Sequence, residues 1–189
     1  MGDPRTLKAK YSGPRHPWQR ARLEEENLLV REYGLKTKRE LWKITSKVKT
    51  FAAQAKKIIA TRTAQSELEK KQLLDRLARL GLLPSGASLD DVLALTSRKL
   101  LDRRLQSVIV KKGLARTHNQ ARQYIVHAHV LVADKKVTAP SYIVPIADEP
   151  TISFIANSTL ANPEHPERTI KAKPKEPRRE PRRSREGRR

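Results

Sequence analysis

Apolar residues recur every three or four positions through most of the first half of the chain, which is the spacing of amphipathic helices. Thr37 with Glu40, and Ser66 with Glu69, have the spacing of capping boxes at the starts of two such helices. Lys side chains occupy the second helix opposite its apolar stripe. The pattern predicts helices over about 18–33, 37–59, 66–80 and 88–95, after an extended Pro-rich arm over 1–17. These helices predict a small antiparallel assembly.

The second half of the chain changes from helical spacing to short runs of β-branched residues. Thr96 or Ser97 can cap a helix that stops at Gly113, and Thr117 can cap the next one. We expect helices over about 96–112 and 119–127, a strand over 130–132, a turn over 134–136, a return strand from 137 through 142–144, and a further short strand near 152–154.

These elements predict a mainly α fold with a small β portion (α+β). Residues 1–98 are interpreted as a basic arm and helical domain, residues 99–162 as a two-helix and β-hairpin module, and residues 163–189 as a tail. The tail has 11 Lys and Arg residues against 5 Glu, a net charge of +6, and almost no apolar side chains. Such a segment cannot bury enough apolar surface to order itself, so the tail is predicted to be disordered.

The charge of the whole chain points to a polyanionic partner. It has 41 Lys and Arg residues against 20 Asp and Glu, a net charge of +21, which opposes a compact state unless the partner neutralises it. No apolar run is long enough to span a bilayer, and we expect no membrane partner. There is no Cys, which excludes disulfides and thiolate zinc sites. Aromatic residues are few, and Trp18, Tyr33, Trp42 and Phe51 lie on helical stripes, where we expect core residues.

No group of residues has the pattern of a catalytic or metal site. His127 and His129 alternate, but no carboxylate or Cys cluster accompanies them. Asp90 and Asp91 fall in the first turn of a predicted helix, where they stabilise its dipole. A Gly-rich phosphate loop is absent. We therefore expect no catalytic residue, no metal, no cofactor and no small-molecule substrate, and interpret the chain as a protein other than an enzyme.

One stretch resembles a known RNA-binding module. Residues 100–132 read LLDRRLQSVIVKKGLARTHNQARQYIVHAHVLV, with an LDRRL opening, an ART turn, a QARQYI helix and an HVLV strand. This stretch is similar to the module named for the fourth ribosomal protein of the small subunit. The segments RTLKAKYSGPRHPW and EYGLKTKRELWK, nearer the N-terminus, extend the resemblance to the archaeal and eukaryotic branch of small-subunit ribosomal protein S-four, over about 1–160.

The resemblance implies an RNA-binding face on the module. Cations at fixed positions suit phosphates, and hydrogen-bonding side chains suit the sugar and splayed bases of folded RNA. The positions carried over are Arg103, Arg104, Lys111, Lys112, Arg116, Thr117, His118, Gln120, Arg122, Gln123, His127 and His129.

The sequence departs from the family pattern at two turns. Ala128 stands before the first strand, where the family commonly has Gly. The hairpin turn is Ala133-Asp134-Lys135-Lys136 rather than the frequent Asn-Gly, so it signals neither common two-residue turn and we expect a longer loop.

The resemblance implies a structural component of the small ribosomal subunit. It implies direct binding of small-subunit ribosomal RNA, nucleation of the assembly of its 5′ region, and a place near the region where messenger RNA enters, beside neighbouring small-subunit proteins. The expected location is the cytoplasmic ribosome. The alternative is a related ribosome-assembly factor that acts on precursor ribosomal RNA. An RNA-modifying enzyme, which often carries such a module, would need an added catalytic domain.

Overall fold

The computed structural model describes residues 9–61, 63–162 and 165–167. Helices predominate in these ranges, and three short strands form one antiparallel sheet, which confirms the predicted α+β class. The disorder predicted for 163–189 falls outside the described residues, except at 165–167. The elements are α1 (Arg20–Glu32), α2 (Lys38–Ala60), α3 (Ala64–Arg79), α4 (Leu89–Leu93), α5 (Ser97–Asp102), α6 (Leu105–Lys111), α7 (His118–Val126), β1 (Val130–Val132), β2 (Lys135–Lys136), β3 (Ser153–Phe154) and a 3-10 turn (Thr159–Ala161).

Helix α2 is the centre of the helical region, which we define as α1 to α5. It packs against each of the other four helices of that region. Its predicted apolar stripe is buried at Leu41, Ile44, Phe51, Ala55 and Ile58. The stripe joins a core that extends to Leu100 and Leu101 on α5. Burial of this stripe, rather than intrinsic helix propensity, holds such a helix in place.

Both capping boxes predicted from Ser or Thr with Glu are wrong. Thr37 precedes α2, but its side chain makes no capping hydrogen bond, and the Glu40 carboxylate is bound by arginines from elsewhere in the chain. Helix α3 begins earlier than predicted, and Thr63 and Ser66 exchange the two capping hydrogen bonds. The identity of a cap thus depends on where competing partners lie, which local spacing does not encode.

The helix predicted over 96–112 is broken in two. Helix α5 ends at Asp102 and α6 starts at Leu105, and between them Arg104 has an extended backbone with φ −70° and ψ 144°. Arg104 forms a β-bridge with Ile143. The Leu105 N–H donates to Tyr142 O at 2.7 Å, and the Val144 N–H donates to Arg103 O at 3.0 Å. Leucines on both sides keep helical spacing, so the sequence pattern does not reveal the break.

The module comprises α6, α7 and the sheet, with strand order β2-β1-β3. Its own core runs from Leu105 through Ile125 and Val130 to Leu160. Strand β1 and the strand near 152–154 occur as predicted, but the return strand predicted from Val137 through 142–144 is wrong, because β2 is Lys135–Lys136, inside the predicted turn. The segment 142–144 leaves the sheet to pair with the helix break, and β3 takes the other edge of β1.

The hairpin turn is tighter than predicted. Leu131 pairs with Lys136 and Val132 with Lys135, which leaves Ala133 and Asp134 as a two-residue turn. Both have positive φ, 47° and 61°, as a type I′ turn requires. The Ala133 N–H donates to Thr151 Oγ1 at 3.0 Å. This long-range contact holds a turn that the local sequence does not favour.

Candidate nucleic-acid interface

Of the arginines predicted on the RNA-binding face, Arg104 is buried, Arg103 and Arg122 are half-buried, and Arg116 is exposed. Arg103 lies at the helix break, and its guanidinium is engaged on three sides. It pairs with Glu149 at 2.7 Å and donates to Leu80 O at 3.1 Å and Val144 O at 2.9 Å. These contacts join the end of α3, the helix break and the segment after it. Arg103 therefore holds the module against the helical region.

Arg104 and Arg122 share one carboxylate of the helical region. Arg104 Nη2 lies 2.7 Å from Glu40 Oε2, and Arg122 Nη2 lies 2.9 Å from Glu40 Oε1. Arg122 Nη1 also donates to Glu40 Oε2 at 3.3 Å. Burial by itself would raise the pKa of Glu40, but the hydrogen bonds from Arg122 and Arg104 outweigh it and hold that pKa below its ordinary value. This triad joins α2 to the start of α6, at Arg104, and to the middle of α7, at Arg122.

Gln106 forms a second joint that the sequence analysis missed. Its side chain is buried, and its Nε2 lies within hydrogen-bond distance of the carbonyl oxygens of Tyr33, Gly34 and His118, at 3.3, 3.1 and 2.8 Å. Gly34 has φ +56°, and a Cβ there would lie 2.8 Å from the His118 Cβ. The turn after α1 thus packs directly on the start of α7. A Gln on an otherwise apolar helix face is the only sequence signal for this joint.

His118 is placed by this joint. Its ring centroid lies 5.8 Å from that of Tyr33, whose hydroxyl donates to Asp102 Oδ1 at 3.2 Å. Burial lowers the pKa of His118, the negative charges of Glu32 and Asp102 opposing that effect. Burial and the neighbouring Asp102 raise the pKa of Tyr33 to about 12. His118 is therefore mostly neutral near pH 7, when it can accept a hydrogen bond but carries little charge to a phosphate.

Exposed predicted residues cluster around the end of α6 and the outer side of α7. Lys111 is more than half exposed and lies 3.4 Å from Asp102. Lys112 is half-buried at the C-terminus of α6, and Arg116 is exposed in the following turn. The other exposed members, along α7 and just after it, are Gln123 and His127.

Thr117 and Gln120 order the turn between the two helices. The Thr117 hydroxyl caps α7 as predicted, by accepting the Gln120 N–H at 3.2 Å. Gln120 Oε1 accepts the Arg116 N–H at 2.8 Å. These bonds fix the backbone that carries Arg116. The backbone that carries the Arg116 side chain is therefore held in one conformation.

The start of the tail lies over α7. The Tyr124 hydroxyl donates to Glu167 Oε2 at 3.1 Å, and Gln120 Nε2 donates to Glu167 O at 3.4 Å. Burial, followed by the hydrogen bond and charge of Glu167, raises the pKa of Tyr124. Glu167 is thus held beside Gln120 and Tyr124 of α7.

The two candidate histidines near β1 have different surroundings. His127 is exposed, whereas His129 Nδ1 lies 2.9 Å from Ser158 Oγ. Their ring centroids are 6.4 Å apart. Across 9–61, 63–162 and 165–167, no group of three or more His, Cys, Asp or Glu is arranged to hold a metal ion. Over the same ranges, no helix is long and apolar enough to cross a membrane.

Tyr11 and Ser12, in the described part of the N-terminal arm, lie against the helical region. The Ser12 N–H donates to Ser46 Oγ at 3.1 Å, and the Tyr11 ring centroid lies 6.1 Å from that of Trp42. Trp18 is 90% exposed, so its predicted place in the core is wrong. Its position before the first turn of α1 takes it off the stripe. Tyr33 and Phe51 are core residues as predicted, and Trp42 is half-buried and donates to Glu26.

Comparison with known proteins gives consistent matches. Residues 103–149 match the S4 domain, a range that contains all twelve predicted RNA-binding positions. The chain is 48% identical over 174 residues to small ribosomal subunit protein uS4 of Methanococcus aeolicus, covering 92% of this chain and 98% of that protein. Proteins of the same name from Nanoarchaeum equitans and Methanococcus maripaludis are 48% and 45% identical over 87% and 89% of this chain, and 92% and 96% of their own lengths.

Proposed function

The chain belongs to the family of small ribosomal subunit protein uS4, and we propose that it is a structural component of the small ribosomal subunit that binds the subunit's RNA directly. The observation that carries this proposal is the exposed, rigidly held group of cations and hydrogen-bonding side chains at the α6–α7 turn. The net charge of +21 supports the same partner class. This role is architectural rather than catalytic.

Within the predicted face, we assign direct RNA contact to four exposed members and to half-buried Lys112. Lys111, Lys112, Arg116, Gln123 and His127 reach outward from the turn and from α7. They suit phosphate and sugar contacts, which dominate recognition of A-form RNA. Thr117, Gln120, His118 and His129 shape the backbone or lie half-buried beside it.

Buried Arg104 and half-buried Arg103 and Arg122 have a different part in this proposal. Arg103 holds the module on the helical region through Leu80 O, and Arg104 and Arg122 do so through Glu40. Two RNA-binding surfaces, the module and the Lys-rich face of α2, are thereby kept at one relative position. A rigid pair of surfaces can hold two RNA helices at a defined angle, because little conformational freedom is lost on binding.

The finer part of the proposal follows from the family resemblance. The protein would bind early, nucleate the assembly of the 5′ region of small-subunit ribosomal RNA, and lie near the region where messenger RNA enters. Neighbouring small-subunit proteins would be its protein partners, and the cytoplasmic ribosome its location.

Crosslinking followed by RNA sequencing, on lysate fractionated through a sucrose gradient, tests this proposal. We expect crosslinks to the 5′ part of small-subunit ribosomal RNA within mature small subunits. Crosslinks confined to precursor fractions would show that the protein is an assembly factor and not a resident protein of the small subunit. Crosslinks to RNA unrelated to ribosomes would overturn both functions.

A further inference from the structure

A pocket of about 300 Å³ lies where the helical region meets the module. We call it the joint pocket. Helix α2 forms one wall, and the helix break, α7 and the segment 140–143 form the others. The polar side chains that line it are Glu40, Lys43, Lys47, Arg104, Arg122 and Ser141.

The charges around the joint pocket do not balance. Four cationic side chains face one carboxylate, Glu40, which leaves a local charge of +3. Both Glu40 oxygens are already engaged by Arg104 and Arg122. Within the part of the chain that the structure describes, neither Lys43 nor Lys47 has a carboxylate within ion-pair distance. The pocket therefore holds excess positive charge inside a partly enclosed space, where water screens it less than on an open surface.

The excess positive charge around the joint pocket is energetically unfavourable, chiefly because of Arg104. Its side chain is only 2% exposed, and its Nε and Nη1 have no hydrogen-bond partner among the described residues. A buried cation normally has all its donors satisfied, because an unpaired buried donor loses its bonds to water without replacement. An anion in the adjoining space would offset this charge.

We propose that the joint pocket binds one phosphate group, held by Lys43 and Lys47 with the Arg122 guanidinium and the Ser141 hydroxyl. Donors approach from two sides of the pocket, which suits a tetrahedral anion better than a flat carboxylate. The group is either a backbone phosphate of RNA or free inorganic phosphate, and the first source rests on the proposed function. The bound phosphate neutralises cations of both regions, so it strengthens their joint.

The two lysines allow a test that leaves the fold intact. Lys43 and Lys47 are exposed and lie one turn apart on α2. Lys43→Gln with Lys47→Gln forms the pocket variant. Lys70→Gln with Lys71→Gln is the matched control, because these lysines on α3 remove equal charge, lie off the Lys-rich face of α2 and do not line the pocket. Circular dichroism of the full-length variants checks that both fold.

Two measurements distinguish the sources of phosphate. In the first, inorganic phosphate is titrated into the full chain at constant ionic strength, and the Arg side-chain N–H signals are followed by NMR. In the second, phosphate ethylation interference is mapped on the 5′ part of small-subunit ribosomal RNA. Constant ionic strength separates site binding from general screening.

The expected result is a loss confined to the pocket variant. Weakening of inorganic phosphate binding by at least about tenfold would identify a free-phosphate site. Loss of interference at one RNA phosphate would identify an RNA contact. Identical behaviour of the pocket variant, the control and the unmodified chain in both measurements would overturn the proposal. If the unmodified chain failed to bind this RNA, the proposed function would be wrong. The phosphate titration would still show whether the joint pocket binds phosphate.

Discussion

At the scale of single residues, backbone conformation and charge partners explain where this chain differs from its sequence pattern. Ala128 closes α7 with φ 58°, where its N–H donates to Ile125 O and the next N–H donates to Tyr124 O. These two bonds form a Schellman motif, whose left-handed residue is usually Gly. An Ala at this position is strained by its Cβ.

Ala128→Gly should stabilise the protein. Relief of the left-handed strain outweighs the added freedom of the unfolded chain, for a net gain of about 0.5–1 kcal/mol. Urea unfolding measures this difference. Ala53→Gly, at an exposed position inside α2, is the control and should destabilise by about 1 kcal/mol. Equal signs for the two substitutions would contradict the assigned backbone at Ala128.

Glu40 should make stability depend on pH. Its folded-state pKa is lowered, so the stability it contributes is present above its ordinary pKa of 4.5 and is lost as pH falls through the folded-state pKa. Glu40→Gln should therefore destabilise the protein at pH 7, and the difference should shrink below about pH 4.5. Unfolding free energies from pH 7 to pH 3 measure it.

Glu24 is the matched control for this pH dependence. It pairs with Arg20 on the surface, where both side chains are mostly exposed. Such pairs contribute little to stability, so Glu24→Gln should have nearly the same effect at every pH. A pH-independent effect at Glu40 would show that the triad is not stabilised by its charge.

At the scale of elements, the break between α5 and α6 organises the molecule. It lets the segment 142–144 pair with the chain at Arg103 and Arg104, and it directs both guanidinium groups toward other elements. A continuous helix would satisfy local propensity. It would, however, keep the backbone groups of Arg103 and Arg104 from pairing with the segment 142–144 and would point their guanidinium groups away from their present partners. The tertiary hydrogen bonds at the break therefore override the helical pattern.

Arg103→Ala should weaken this element by about 2 kcal/mol or more, because it removes three charged hydrogen bonds and leaves their acceptors unpaired. The midpoint of urea unfolding measures the loss. Lys112→Ala, just past the end of α6, should change stability by no more than about 0.5 kcal/mol. Comparable losses at the two positions would argue against a structural part for Arg103.

At the scale of the whole molecule, two basic surfaces are joined by a small number of buried polar contacts. Gln106 with Tyr33 and Gly34, the Glu40 triad, and Arg103 with Leu80 link the helical region and the module at three places. Arg103, Arg104 and Arg122 are largely committed to this joint. Replacing these arginines would change the stability of the fold as well as RNA binding. Cations outside the joint are therefore the better positions for testing RNA binding.

Lys112→Gln with Arg116→Gln should lower RNA affinity and its dependence on salt. Each lost phosphate contact should reduce the slope of log affinity against log salt by about 0.7–0.9. Filter binding of small-subunit ribosomal RNA across a salt series measures the slope. Lys70→Gln with Lys71→Gln, on the remote helix α3, removes equal charge and should leave the slope nearly unchanged. Equal slopes for the two variants would show that the α6–α7 turn is not part of the RNA-binding face.

The sequence by itself determined the fold class, the apolar stripe of α2, the Thr117 cap and the family. These depend on local spacing, on composition and on residues in a recognisable order, all of which are visible along the chain. Only the tertiary structure decided where the long helix breaks, how tight the hairpin is and which predicted arginines are exposed. Glu40 is 64 and 82 positions from Arg104 and Arg122, and Gln106 is 73 positions from Tyr33. Whether a cation faces RNA or a half-buried carboxylate depends on such distant partners, because a charge leaves water only where the fold supplies its counterpart.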